Sequence, residues 1–467
     1  MSPREQPNVL MLVADDLRVD AVGALGATDV ETPNLDRLVE DGCAVTRAHN
    51  MGSEHDAVCV PARSMIHSGR SLFHLDGPGG IPTDCAALPE TFREGGYRTF
   101  GTGKWHNGRE AFNRCFEEGR NVFFGGMGNH WNVPVSDRHP LEEYRGDKPH
   151  RFLPGDTSGP QPVRQTYDRY ASGTHSSELF AETTVEFLTD HHAAREDRPF
   201  FAYAAFMAPH DPRTAPGEYH ALYDPREVEL PSNFRPAHSF DNGALRVRDE
   251  DLAGHPRDPD EVRRHLADYY AIVSHLDAQV GRILDALERT GQREDTIVVF
   301  TADHGLAVGQ HGLMGKQNLY DHSVRVPLVF TGPGVPEAER RDAFSYHHDL
   351  YPTLADLAGV EAPAELEGES LARTIRDGAD GPRDSLFTAY GDEQRGLRTD
   401  QYALVECHVD GDRHTQLFDV DADPWQTENL ADNPDHADAL ARLRADLDER
   451  RERADDPTVE EWSVRAN

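Results

Sequence analysis

The chain is 467 residues long and strongly acidic, with 83 Asp and Glu against 47 Lys and Arg and a formal net charge of −36. That excess excludes nucleic acid and anionic membrane surfaces as partners, since like charge repels them. The longest aliphatic-aromatic run, Phe200 to Ala208, falls far short of the roughly 20 residues a spanning helix needs. The acids are spread along the chain, a pattern we read as halophilic adaptation, with salt relieving self-repulsion. Only Lys104, Lys148 and Lys316 are lysines. Five cysteines, an odd number without CxxC spacing, fit a reducing compartment. The N-terminus runs straight into a strand with no apolar targeting region, so a cytoplasmic soluble protein is expected.

In chain order, Asn8 to Ala14 reads as a buried strand delivering Asp15 and Asp16 at its end. Thr32 and Pro33 open a helix as N-cap and first residue. Cys59-Val60-Pro61-Ala62-Arg63 begins another, with Pro61 in the first turn, where its missing N–H costs nothing. Cys59 then sits at a helix N-terminus, which favours an anion, and the Arg63 guanidinium about one turn on can face the same anion. A buried structural cysteine is the alternative for such a residue taken alone. Leu88 to Glu94 reads as a helix stopped by Gly95-Gly96, and the strand Tyr97 to Gly101 leads to Lys104 and His106.

From Asn107 to about Thr174 periodicity disappears, as expected of specificity loops. Ser176 to His191 is a helix, and Phe200 to Phe206 a buried strand ending near His210. Asp211 to Asp258 is irregular. Glu261 to Thr290 carries apolar residues at spacings of three and four, predicting a long amphipathic helix. Thr296 to Thr301 is a third buried strand, delivering Asp303 and His304, and Val326 to Thr331 a fourth. Leu350 to Ala358 is a helix, and His347-His348-Asp349 before it fits a structural cap. Gly396 to His408 and Arg413 to Val420 read as antiparallel strands joined at Asp410-Gly411, before a helix over about Asp435 to Arg451. The fold class is therefore α/β: a mostly parallel central sheet with helices on both faces (residues 1–376), plus a small C-terminal α+β subdomain with an antiparallel sheet (377–467).

In an open parallel sheet, ligands bind beyond the carboxyl ends of the strands. Asp15-Asp16, His210 and Asp303-His304 end three predicted strands, Lys104 and His106 follow a fourth, and Lys316 lies a short loop beyond Asp303. Singly, each has an ordinary reading as turn, cap or loop chemistry. Together they suggest a metal ion and a bound oxyanion. Cys43, Cys85, Cys115 and Cys407 are read as core or surface thiols.

Cys59-x-Pro61-x-Arg63 followed by Gly69-Arg70, with Gly96 to His106 as a second motif, resembles the signatures of the type I sulfatases of the alkaline phosphatase superfamily, over Val9 to about Leu430. Ala62 and Ser68 stand where serine and threonine are commoner, and neither change removes a reactive group. The resemblance implies that a formylglycine-generating or sulfatase-maturating enzyme oxidises Cys59 to formylglycine. It also implies that Asp15, Asp16, Asp303, His304 and modified Cys59 hold one divalent cation, usually calcium, which suits carboxylate oxygens. His304 stands where many relatives have asparagine, and imidazole suits calcium less well.

The implied reaction is hydrolysis of a sulfate monoester. Arg63, Lys104 and Lys316 neutralise sulfate, His210 and Lys316 protonate the leaving oxygen, and His106 takes a proton from the second hydroxyl of the aldehyde hydrate. A sulfated carbohydrate is the leading substrate, ahead of aryl sulfates. His130 and Trp131 are candidates for a sugar-stacking wall or, equally, for a packed loop. The alternatives are a phosphonate monoester or phosphodiester hydrolase with the same nucleophile, and a non-catalytic anion- or metal-binding relative. Oligomeric state leaves no mark in the sequence.

Overall fold

Eight strands form the central sheet of the protein, a computed structural model of which describes residues 6–26, 29–143, 148–150, 163–165, 167–195, 197–460 and 462. Their order is Glu339–Tyr346, Cys43–His49, Leu328–Thr331, Thr296–Ala302, Asn8–Asp15, Phe200–Pro209, Arg98–Lys104 and Glu118–Phe123. Asn8–Asp15 lies at the centre, parallel to both neighbours and buried at every residue, as its unbroken apolar run requires. Leu328–Thr331 is the exception, antiparallel to both its neighbours.

Adjacent side chains of a strand point to opposite faces, and Phe200 and Phe201 show that both faces are covered. Phe200 meets Phe187 of helix Ser176–Ala193 at 5.6 Å between ring centroids, whereas Phe201 meets Phe92 of helix Leu88–Glu94 at 4.7 Å. The long helix spans Pro259–Arg289, and the Asp258 carboxylate accepts from the backbone N–H groups of Asp260 and Glu261 at its start. Proline at the first helical position and an aspartate cap place that start two residues ahead of the periodicity.

Three strands of this sheet escaped the sequence reading: Cys43–His49, Glu118–Phe123 and Glu339–Tyr346. Each is at or next to a sheet edge and mixes buried with half-exposed residues, so none shows an unbroken apolar run. The stretch expected to be loops after Asn107 also holds helix Arg109–Cys115 and an antiparallel pair, Asn132–Val135 with Arg169–Ser172. Parts of that stretch lie outside the described residues.

A second sheet joins Ser385–Tyr390, Gln394–Thr399, Tyr402–Val409 and Asp412–Asp419 as an antiparallel meander. The single strand expected over Gly396 to His408 is two strands, folded back at Asp400-Gln401, where the Thr399 hydroxyl accepts the Tyr402 N–H at 3.0 Å. The expected turn at Asp410-Gly411 is present, with φ of 51° and 92°, the double left-handed geometry of a two-residue hairpin. Gly52-Ser53 adds a short parallel strand beside Ser385–Tyr390, so this sheet reaches the segment just before Cys59. Among the described residues, no helix is long and apolar enough to cross a membrane.

Candidate active site

Helix Cys59–Ser68 sets the geometry. Cys59 is its first residue, Pro61 lies in its first turn and Gly69 ends it with φ of 65°. The signature continues structurally in Gly69-Arg70, since Gly69 O accepts the N–H groups of Glu367 and Gly368 while Arg70 pairs with Glu367 at 3.0 Å. Arg63 is buried completely. Its Nε and Nη2 both lie 3.0 Å from Asp303 Oδ2, and Nη1 donates to Lys104 O at 2.7 Å and to the Tyr203 hydroxyl at 3.2 Å. The guanidinium therefore ties the ends of two strands, and the middle of Phe200–Pro209, to the helix that carries Cys59.

The strand ends converge as expected. Ligand atoms of Asp15, Cys59, Asp303 and His304 lie within 4.8 Å of one another, all buried. Asp16 belongs to an adjoining group with His210 and Asp211. It stays close to the first, with its N–H donating to Asp303 Oδ1 at 3.3 Å and its Oδ1 lying 3.2 Å from His304 Nδ1. The two lysines flank the thiol. Lys104 Nζ is 3.6 Å from Cys59 Sγ and bonded to Asp15, and Lys316 Nζ is 3.7 Å from the same sulfur and 2.8 Å from Asp16 Oδ1.

Electrostatics follow from this crowding. Burial pushes the Cys59 thiol up, but Lys104 and Lys316 outweigh it and hold the thiol below its ordinary value. Burial pushes the His304 ring down, yet Asp303 and Asp16 raise it to about 9. Burial, with Lys104 and Arg63, keeps His106 well below the ordinary histidine range, so its ring is neutral. His106 adopts φ of 63°, and Gly126 lies so close to its ring that a Cβ there would sit 2.5 Å from Nε2.

The donor set fits a divalent cation. Asp15 Oδ1 and His304 Nε2 are buried without a hydrogen-bond partner among the described residues. Two carboxylates, Asp15 and Asp303, repel each other at close range. A cation between them would satisfy the orphaned Asp15 oxygen and relieve the repulsion, with His304 Nε2 becoming a ligand on loss of its proton.

His210 Nδ1 donates to Asp211 O at 2.9 Å, and its Nε2 lies 3.9 Å from Asp16 Oδ2. Asp211 is held in turn by Arg248 at 2.8 Å. His130 is fully buried, between the Ser176 hydroxyl at 2.6 Å and His210 O at 3.0 Å. It therefore forms no part of a sugar-stacking wall: both ring nitrogens are used inside the protein, and they brace the His210 segment. Trp131 is half-buried, edge-on to His175 at 5.2 Å.

Sequence reasoning missed three supporting residues. Asn50 donates to Asp303 O at 3.1 Å, Tyr203 accepts from Arg63, and Asp211 holds His210. Tyr203 was the one polar side chain in an otherwise apolar strand run, a signal available in the sequence; Asn50 carried none.

The chain matches the family model described as sulfatase over residues 7–360, and one described as N-sulphoglucosamine sulphohydrolase, C-terminal, over 309–453. A sulfatase of Formosa agariphila is 27% identical over 461 residues, covering 94% of this chain and 86% of that protein. An N-acetylglucosamine-6-O-sulfatase of Bacteroides thetaiotaomicron is 22% identical, covering 95% of this chain and 86% of the relative. The solved structure of BT4656 with its substrate D-glucosamine-2-N,6-O-disulfate superposes with a TM-score of 0.75 at 20% identity, covering 97% of this chain and 98% of the other. The chain thus belongs to the sulfatase family, within the alkaline phosphatase superfamily, and is a sulfuric ester hydrolase.

Proposed function

We propose that this protein hydrolyses a sulfate monoester of a small carbohydrate, with Cys59 oxidised to formylglycine and one divalent cation, calcium first, at Asp15, Asp16, Asp303, His304 and residue 59. The observation that carries this reading is the position of the Cys59 sulfur between two ammonium groups at 3.6 and 3.7 Å, beside buried carboxylates with an orphaned oxygen. The cation, when bound, supplies positive charge to the sulfate oxygens and lowers the pKa of the attacking hydroxyl. Lys104 and Lys316 neutralise the charge that builds on the sulfuryl oxygens. Arg63 is committed to Asp303 and Lys104 O, so it acts by positioning the site as much as by charge.

His210 faces the site through Nε2, since Nδ1 is committed to Asp211 O; it and Lys316 are placed to deliver a proton to the leaving alcohol. His106 is neutral and Nδ1 is buried without a partner among the described residues, the condition a base needs to take the proton that releases sulfate. The glucosamine-sulfate relatives support a sugar sulfate as substrate.

The test has two parts. Mass spectrometry of the Cys59 peptide, from protein made with a maturating enzyme, should show the aldehyde; free thiol alone would overturn the nucleophile. Release of sulfate from a panel of sulfated mono- and disaccharides should exceed hydrolysis of the matching phosphate and phosphonate esters. The reverse order would assign the phosphorus reaction instead.

A further inference from the structure

Away from the active site, a cavity of about 390 Å³ opens between strand Cys43–His49, the segment around Val19 and Leu25, and strand Gln394–Thr399. Four arginines line it, Arg47, Arg325, Arg340 and Arg398, against one acid, Asp342. In a chain with nearly twice as many acids as bases, a four-to-one excess of cations is the reverse of the overall balance. Two of the four have structural duties that neutralise them, Arg47 with Asp400 and Arg398 with Asp321. Arg325 and Arg340 have no carboxylate at ion-pairing distance among the described residues. Arg325 donates through Nε to Thr46 O at 2.8 Å, and Arg340 donates to Ala24 O. Each keeps guanidinium N–H groups to spare.

His49 adds a second, independent feature. It is 1% exposed and lines the same cavity, yet its Nε2 has no hydrogen-bond partner among the described residues. Its Nδ1 donates to Arg47 O at 2.8 Å, and burial holds the ring down to about 4. The ring is therefore neutral and Nε2 offers a lone pair, which needs a donor and not an anion. Val19, Leu25 and Val45 supply an apolar wall.

The site thus presents uncommitted guanidinium donors, one buried acceptor and an apolar face, in a volume suited to a small organic molecule. We propose that this cavity binds a hydroxylated small molecule carrying a sulfate or phosphate ester. The ester oxyanion sits on Arg325 and Arg340, beside the His49 ring. The proposed role is binding.

Titration calorimetry on Cys59→Ala protein, which cannot turn the ligands over, tests this with glucose 6-sulfate, glucose 6-phosphate and glucose. At least one ester should bind, glucose should not, and the preferred ester identifies the source. Arg340→Glu, on an exposed arginine, should weaken binding at least tenfold with an unchanged melting curve. Arg325→Gln serves the same purpose if that variant is unstable, and Arg235→Glu, at a remote exposed arginine, should leave binding intact. A crystal soaked in the preferred ester should show it against Arg325 and Arg340. Binding that survives both cavity substitutions, or density in the active site alone, would overturn the proposal without touching the sulfatase assignment.

Discussion

The Lys104 ammonium is bonded to the Asp15 carboxylate with both side chains fully buried, and it stands 3.6 Å from the Cys59 sulfur. The pair is an ion bridge and, in the proposed function, half of the anion site at once. Lys104→Ala removes the ammonium and breaks a fully buried ion pair with Asp15. We expect a loss of about 3–5 kcal/mol of stability together with a fall in kcat of at least a hundredfold. Denaturant melts and sulfate-release kinetics measured on the same preparation would check both, and a variant with normal activity would remove Lys104 from the site.

Removing divalent cations acts in the same direction as removing a lysine, because it restores repulsion between Asp15 and Asp303. Dialysis against a chelator should abolish sulfate release and lower the melting temperature. Adding back calcium should recover both; recovery with manganese or magnesium but not calcium would overturn calcium as the metal.

Glu367 anchors the end of the signature helix, accepting from Ser71 N at 2.9 Å, the Ser71 hydroxyl at 2.6 Å and Arg70 at 3.0 Å. Burial pushes its carboxyl up, but these bonds and His74 outweigh it and hold it down at about 2, from an ordinary 4.5. A depressed folded-state value means the stabilisation is fully present above pH about 4.5 and is lost as the pH falls towards 2. Glu367→Gln should therefore lower the melting temperature at pH 7 and shrink the wild-type difference below pH 3. An unchanged gap across that range would show the carboxylate charge to be irrelevant.

The acidic surface makes its own prediction. If self-repulsion is what salt relieves, the melting temperature should rise between dilute buffer and molar potassium chloride, and activity should fall at low salt. Thermal melts across that series decide it, and full stability in dilute buffer would end the halophilic reading.

Much of the site was legible in the linear chain because buried parallel strands are unbroken apolar runs and deliver their next residues to one edge of the sheet. Asn8–Asp15, Phe200–Pro209 and Thr296–Ala302 could be found, and with them Asp15, His210 and Asp303. The edge strand Glu339–Tyr346 could not, since an edge mixes exposed and buried positions. Nor could the division between Gln394–Thr399 and Tyr402–Val409, where Asp400-Gln401 carries no glycine or proline to mark a turn.

What the amino-acid order determined by itself was the chemistry: a cysteine, an arginine and two lysines at family spacings, and which acids follow which strands. Only the tertiary structure decided who touches whom. It turned His130 inward beneath His210, joined Arg63 to Asp303 across 240 residues, and gathered Arg325, Arg340 and His49 around one cavity. The physical reason is that spacing along a chain sets local geometry, whereas contacts between distant segments depend on register, edge position and packing, which no single segment encodes.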